Sequence, residues 1–271
     1  MTAREALAEA TSALERAGVP SPGVDAEWLL AHVHGVRRSE LYGAEVDGRL
    51  DEFRALVERR ASREPLAYIL GEWDFRGLTL AVDSRVLIPR PETEALVERC
   101  LTLLAEAAEP AILDIGVGSG AIALSLAAER RDAVVVGTDT SASALEVAEA
   151  NRRRLGLEER VRFVRGDLLG GESGPFDLVV SNPPYVAPGE LPMLEPELRH
   201  EPAEALVGVG RHGRVAQAAA RVLPAGAMLV LEVGNGQACD VAAMLVARGY
   251  RDVQISNDLT GRQRIVEGRR R

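Results

Sequence analysis

From residue 110 onward, short apolar runs alternate with stretches of helical periodicity, and this alternation restricts the possible folds more than any other feature of the chain. Residues 111–115, 133–137, 161–164, 176–180, 228–233, 253–256 and 264–266 read as strands, and 120–130, 141–154, 214–222 and 237–248 as helices. Strand and helix in turn predict an α/β fold, a Rossmann-like doubly wound sheet covered by helices on both faces. The three arginines at 269–271 read as a frayed, solvated tail.

The first 65 or so residues follow a different rule. Thr2 with Glu5 three places later is a capping-box pattern, and Leu7, Ala10 and Leu14 share one face, so a helix is expected over about 3–17, ending at Gly18 and Pro20. A second helix opens after Ser21-Pro22 with Ala26, Leu29, Leu30 and Val33, and a third spans about 49–63 on Leu50, Phe53, Leu56 and Val57. Alternation of Phe75, Leu78, Leu80 and Val82 around Arg76-Gly77 predicts a β-hairpin. The expected organisation is a small helical-bundle domain at 1–70, a β-hairpin linker at 71–90 and the α/β domain at 91–271.

Composition removes several chemistries. All 32 basic residues are arginine, which excludes Schiff-base catalysis, a lysine general base and a P-loop. Residues 1–75 carry 9 Arg against 14 acids and residues 76–271 carry 23 against 27, so neither part of this net −9 chain is a basic module suited to phosphate backbones. Cys100 and Cys239 are far apart, and His32, His34, His200 and His212 form no ligand spacing, so neither disulfide nor metal is expected. The start MTAREALAEA lacks a basic and then apolar leader, and no run of 18 apolar residues occurs; a cytoplasmic protein without membrane contact is expected.

The first strand of the α/β region runs into LDIGVGSGAIAL, with Asp114, Gly116, Gly118 and Gly120 directly before a helix. Glycines at such a corner let a ligand approach main-chain NH groups at the helix N-terminus. A dinucleotide fingerprint would need glycine at position 121, which is Ala121. The second strand ends at Asp139, 19 residues beyond Gly120, where a carboxylate can accept from both ribose hydroxyls or, alternatively, cap the following helix. After the third strand, Asp167 can accept from an adenine amine and Leu168 can lie against the ring; an ordinary polar turn is the competing reading.

The fourth strand leads into SNPPYV. Two prolines fix two φ angles and remove two donors, leaving a stiff, acceptor-rich loop. The side-chain carbonyl of Asn182 and the main-chain carbonyl of Pro183 can then meet the two hydrogens of one planar NH2 group, with Pro184 holding the loop and Tyr185 supplying an aromatic wall. Such a nitrogen is a poor nucleophile, because its lone pair is delocalised. Bonds from both hydrogens raise its electron density and aim the lone pair, so no general base is needed. The adjacent adenosine-type site implies the electrophile, the methyl sulfonium of S-adenosyl-L-methionine.

At these residues the chain resembles the N5-glutamine methyltransferases that modify the Gly-Gly-Gln motif of bacterial peptide chain release factors. The resemblance runs through DAEWLLAHVHG, EPLAYILGEWDF, VLIPRPETEALVE, LDIGVGSGAIALSLA, SNPPYV, EPAEAL, LEVGNGQ and DLTGRQRIV. It implies a helical substrate-recognition domain and a methyltransferase domain that converts S-adenosyl-L-methionine to S-adenosyl-L-homocysteine. By the same resemblance Asp114, Gly116, Val117, Gly118, Ser119, Gly120, Asp139, Asp167, Leu168 and Asn182 bind the cofactor, while Asn182, Pro183, Pro184 and Tyr185 are catalytic. Leu168 stands where the family carries an aromatic, and GVGRHGR replaces its usual Gly-Gly-Asp-Gly-Leu stretch, so residues 208–214 receive no role. In IPRPETE, Arg90 and Glu92 either help close the cleft near the cofactor or stiffen the junction.

Three functions are weighed. Methylation of a release-factor glutamine leads, with a ribosomal-protein glutamine as its sister. Adenine N6 or cytosine N4 also presents a planar NH2, but only 86 residues follow Tyr185, all needed to finish the sheet, so no target-recognition domain fits. A non-catalytic adaptor would need a broken loop, yet SNPPY is intact. Protein substrates are therefore expected as partners, without direct nucleic-acid binding.

Overall fold

The computed structural model describes residues 2–43 and 48–271. By their contacts, the residues form two compact units, Met1–Glu72 with Glu195–His200, and Trp73–Leu194 with Glu201–Arg271.

In the first unit, α1 (Ala3–Arg16) opens with the expected reciprocal cap: the Glu5 amide donates to the Thr2 hydroxyl at 3.2 Å and the Thr2 amide donates to the Glu5 carboxylate at 2.8 Å. Helix α2 (Pro22–His34) has proline in its first turn and stops at Gly35, whose φ is +63°. Helix α3 (Leu50–Ala61) is followed by a short α4 (Leu66–Leu70) that the periodicity did not reveal. Leu14, Leu29, Leu30, Leu41 and Phe53 fill the core. Arg60 is buried among them, donating to Asp25 at 2.7 Å and to Glu197 at 2.9 Å, which is how the segment Glu195–His200 joins this unit. Burial raises the Glu197 carboxyl, but Arg63, its own backbone amide and Arg60 outweigh that and hold it at about 2.

The boundary between the units falls within the hairpin of β1 (Glu72–Phe75) and β2 (Leu78–Ala81), which turns through Arg76 and Gly77 at φ +47° and +76°. Helix α5 (Pro91–Leu103) comes next, in a segment that the sequence left between closing the cleft and stiffening the junction, with no helix predicted. The elements then alternate as expected: β3 (Ala111–Ile115), α6 (Ala121–Glu129), β4 (Val134–Asp139), α7 (Ala142–Arg154), β5 (Val161–Arg165), β6 (Leu178–Ser181), a single turn α8 (Ala203–Leu206), α9 (Arg211–Ala219), β7 (Met228–Glu232), α10 (Ala238–Ala247), β8 (Tyr250–Asn257) and β9 (Gln263–Arg270).

The sheet order is β5-β4-β3-β6-β7-β9-β8, parallel except for β9, which runs antiparallel to both neighbours. Period-2 side-chain alternation divides its strands between two cores. Ile112, Leu178, Val180 and Val230 join α5 and α6 residues on one face, while Leu113, Val179, Leu229 and Leu231 join α9 and α10 residues on the other. The expectation of a frayed arginine tail is corrected here. Arg269 and Arg270 belong to β9, where the Arg270 amide donates to Ala227 at 2.8 Å and its carbonyl accepts from Gly226 at 2.9 Å; the ladder uses backbone groups and tolerates charged side chains at a strand end. No helix among the described residues is long and apolar enough to cross a membrane.

Candidate active site

Strand β3 is where the chain reverses direction across the sheet, being flanked by β4 on one side and β6 on the other. Ligands of open α/β sheets bind at the carboxyl ends of strands at such a point. Both sequence-predicted loops leave there. The Ser181 hydroxyl at the end of β6 donates to the Ile115 carbonyl at the end of β3 at 2.6 Å, tying the Asn-Pro-Pro-Tyr loop beside the glycine loop.

In the glycine loop, the amides of Gly116 and Val117 donate to the Thr138 carbonyl at 2.8 and 3.1 Å. Gly116 and Gly118 have φ of +87° and +55°, and a Cβ on either would enter open space rather than protein, so the loop presents bare backbone outward. Asp139 accepts from the amides of Gly118 and Ser141, both at 2.9 Å, and thus ties the loop to the end of β4. The helix N-cap proposed as an alternative role for Asp139 is filled by Ser141, which accepts from Ala144.

Asp114 is fully buried. One oxygen accepts from Ala123 at 3.2 Å and the other, Oδ1, has no partner; burial pushes its carboxyl up to about 7. Val117 and Ser119 are buried within the loop. Leu168 is half-buried with a left-handed φ of +52°, and its carbonyl accepts from the Thr138 hydroxyl at 2.5 Å. Asp167 is exposed and pairs with Arg214 at 2.5 Å.

Asn182 and Tyr185 are half-buried, and Pro183 is buried. Gln237 braces the loop's far end, its side-chain NH2 donating to the Tyr185 carbonyl at 3.1 Å while its carbonyl accepts from Gly234 at 3.0 Å. Burial raises the Tyr185 hydroxyl. Residues 207–208 return beside the loop, where the Gly208 amide donates to Val186 at 3.1 Å and a Cβ on Gly208 would lie 2.5 Å from the Pro184 carbonyl oxygen. The segment that departs from the family pattern therefore meets the Asn-Pro-Pro-Tyr loop at Pro184 through Gly208 and the turn after β5 at Asp167 through Arg214.

The junction residues divide. Arg90 pairs with the buried Glu201, which also accepts from the Ile88 amide at 3.1 Å, so Arg90 stiffens this turn. Thr93, which the sequence reading passed over, is buried and donates to Glu232 at 2.7 Å. Glu232 is 2% exposed, and the Asn182 side-chain NH2 donates to the Thr93 hydroxyl at 3.3 Å. Gln237 and Glu232 lie in the LEVGNGQ stretch, whose glutamine and glutamate in an otherwise apolar strand end were the available signal.

These loops at the switch point of a mostly parallel seven-stranded sheet define a methyltransferase-type α/β unit. A Thermus thermophilus 16S rRNA N2 G1207 methyltransferase, solved with AdoMet and guanosine, has this fold: it superposes with a TM-score of 0.57 at 19% identity, over 74% of this chain and 50% of its own. The methyltransferase small domain family model matches residues 93–239, and the PrmC N-terminal domain model matches residues 5–71. A release factor glutamine methyltransferase of Deinococcus radiodurans is 45% identical over 100% of this chain and 99% of its own, and one of Rhodospirillum rubrum is 41% identical over 95% and 82%. The chain belongs to the release factor glutamine methyltransferase family.

Proposed function

We propose that this protein transfers a methyl group from S-adenosyl-L-methionine to the side-chain amide nitrogen, N5, of the glutamine in the Gly-Gly-Gln motif of peptide chain release factors. The observation that carries the reading is the Asn-Pro-Pro-Tyr loop tied through Ser181 to the glycine loop, in a chain 45% identical to a protein of that name.

The residues fit the cofactor. Bare backbone at Gly116 and Gly118, the unpartnered oxygen of Asp114 and the carboxylate of Asp139 give donors and acceptors around one strand end. Asp114, Gly116, Val117, Gly118, Ser119, Gly120, Asp139 and the Asp167–Leu168 turn would hold it, with Asn182 alongside. When bound, S-adenosyl-L-methionine supplies an electrophilic methyl on a sulfonium. Asn182 and Pro183 accept from the two hydrogens of the substrate amide, which raises electron density on its nitrogen and aims the lone pair. Tyr185 walls the planar group, Pro184 keeps the loop stiff, and the proton leaves after transfer without a dedicated base.

In this reading residues 1–70 recognise the release factor, 71–90 link, and 91–271 carry the chemistry, at work on cytoplasmic translation factors. Radiolabelled methyl transfer to a purified release factor, set beside its Gly-Gly-Gln Gln→Ala variant, tests it. Label on the wild-type factor alone is expected; an unlabelled factor with label on DNA or a ribosomal protein overturns the assignment.

A further inference from the structure

A side-chain amide that is to accept a hydrogen bond must have its carbonyl, and not its NH2, turned to the substrate. Nothing in the Asn-Pro-Pro-Tyr sequence fixes that choice for Asn182, because the two ends of the amide have the same shape. The surroundings of Asn182 do fix it. Glu232, at the C-terminal end of β7, is 2% exposed, and above the value of about 7 to which burial raises it, its carboxylate is ionised and only accepts. The Thr93 hydroxyl in the first turn of α5 donates its one proton to Glu232 at 2.7 Å. Having spent that proton, Thr93 offers only lone pairs to its other neighbour. The end of Asn182 that faces it at 3.3 Å must therefore be the NH2, and Oδ1 is turned the other way. Among the described residues, no hydrogen bond occupies that Oδ1.

We infer that Thr93 and Glu232 are positioning residues that set the polarity of the Asn182 amide, an inference that rests on the catalytic role proposed for Asn182. The relay is directional, because each member determines what the next can do. The carboxylate makes Thr93 a donor toward β7, which makes Thr93 an acceptor toward Asn182, which leaves Asn182 an acceptor toward the substrate. Glu232 also draws the Asn182 NH2 directly, so loss of the Thr93 hydroxyl weakens the discrimination, and a fraction of the Asn182 amides turns over to meet the substrate NH2 with a donor. Glu232 is further fixed from behind, where its main-chain oxygen lies 2.9 Å from Nε2 of the buried His212. A carbonyl only accepts, so His212 must carry its proton on Nε2. Burial keeps the His212 ring below its ordinary pKa and thus neutral, which preserves that arrangement.

The test replaces Thr93 with Val, which keeps the shape and removes the hydroxyl, and with Ser, which keeps the hydroxyl. The first readout needs no substrate: the Asn182 side-chain NH2 resonances of isotopically labelled protein, identified by their absence in Asn182→Ala. In Thr93→Val they are expected to move toward the position of a free amide and in Thr93→Ser to return. The second is methylation of a purified release factor, where Thr93→Val is expected to lower kcat by about ten- to a hundredfold with KM and cofactor affinity within about twofold, and Thr93→Ser to restore kcat. Resonances unmoved by Thr93→Val, or a loss confined to KM, overturn the inference. Resonances that move while the wild-type protein leaves the release factor unlabelled overturn the proposed substrate instead, so the two failures are distinguishable.

Discussion

Asn182 is the residue on which the proposed chemistry turns, and its removal separates binding from turnover. Asn182→Ala leaves one hydrogen of the substrate amide without an acceptor, at about 1–3 kcal/mol, and releases the nitrogen from its aim. Turnover is expected to fall far more than affinity for S-adenosyl-L-methionine, measured by single-turnover kinetics beside calorimetry; equal losses would contradict the assignment. Its neighbour Glu232 gives a second prediction. Burial pushes this carboxyl up to about 7, against the Thr93 bond, the nearby Arg264 of β9 and the Asn182 amide, while Glu92 of α5 adds to the rise. The Tyr185 hydroxyl and the His212 ring are the other titratable groups around it. A raised carboxyl holds its proton more tightly folded than unfolded, so its stabilisation is complete below about 4.5 and is lost as pH climbs to about 7. The loss is on the order of 3 kcal/mol. Urea titrations at pH 5 and pH 8 are expected to show a smaller difference for Glu232→Gln than for the parent chain, and the same difference in both would refute this account. Asp114, raised in the same direction to about 7, keeps part of the dependence in the variant.

Among elements, β4 is the one whose shape the glycine loop depends on most closely. Gly137 faces this loop, and a Cβ there would lie 2.2 Å from Val117 Cγ2 and 2.8 Å from the Phe163 ring. Neither neighbour has room to give, since Val117 is buried and Phe163 packs against Leu145 and Ala148 of α7. Gly137→Ala is expected to cost about 1–3 kcal/mol of stability by overpacking and to weaken cofactor binding by pushing the loop outward. Unfolding midpoints and calorimetry check it; a variant as stable and as tightly bound as its parent would show that the loop yields. The strands and helices around this point were legible because each strand must satisfy two cores at once and each helix one, so the periodicities of 2 and 3.6 survive in the sequence. Helix α5 escaped because Pro89 and Pro91 read as a rigid turn, although proline in a first turn also starts a helix. The candidate site divides in the same way. Gly116, Gly118, Gly120 and Asn182 to Tyr185 sit in contiguous motifs, whereas Thr93 lies 89 residues from Asn182 and 139 from Glu232. Spacing of that size carries no local signal, and only the sheet order brings these residues together.

At the scale of the whole molecule, the charge pattern makes a claim about encounter with the substrate. The chain has net charge −9, and residues 1–75 carry 14 acids against 9 arginines: Asp51 on α3 is fully exposed and pairs with Arg54 at 3.6 Å, and Glu58 is exposed on the same helix. Exposed pairs of this kind contribute little to stability, so their removal leaves the fold within about 0.5 kcal/mol. A field of this sign does act on a basic partner, such as a factor that works beside ribosomal RNA. It acts over about 8–10 Å at ordinary ionic strength, and more salt shortens that reach. If the helical unit recognises such a partner, salt raises KM for the release factor while kcat changes little, because charge governs association rather than the chemical step. The double variant Asp51→Arg/Glu58→Arg is then expected to raise KM several-fold at low salt, to flatten its salt dependence and to leave kcat and affinity for S-adenosyl-L-methionine unchanged. A KM and salt response identical to the parent's would remove this face from recognition, and a matching fall in kcat would mean that these acids serve turnover and not encounter.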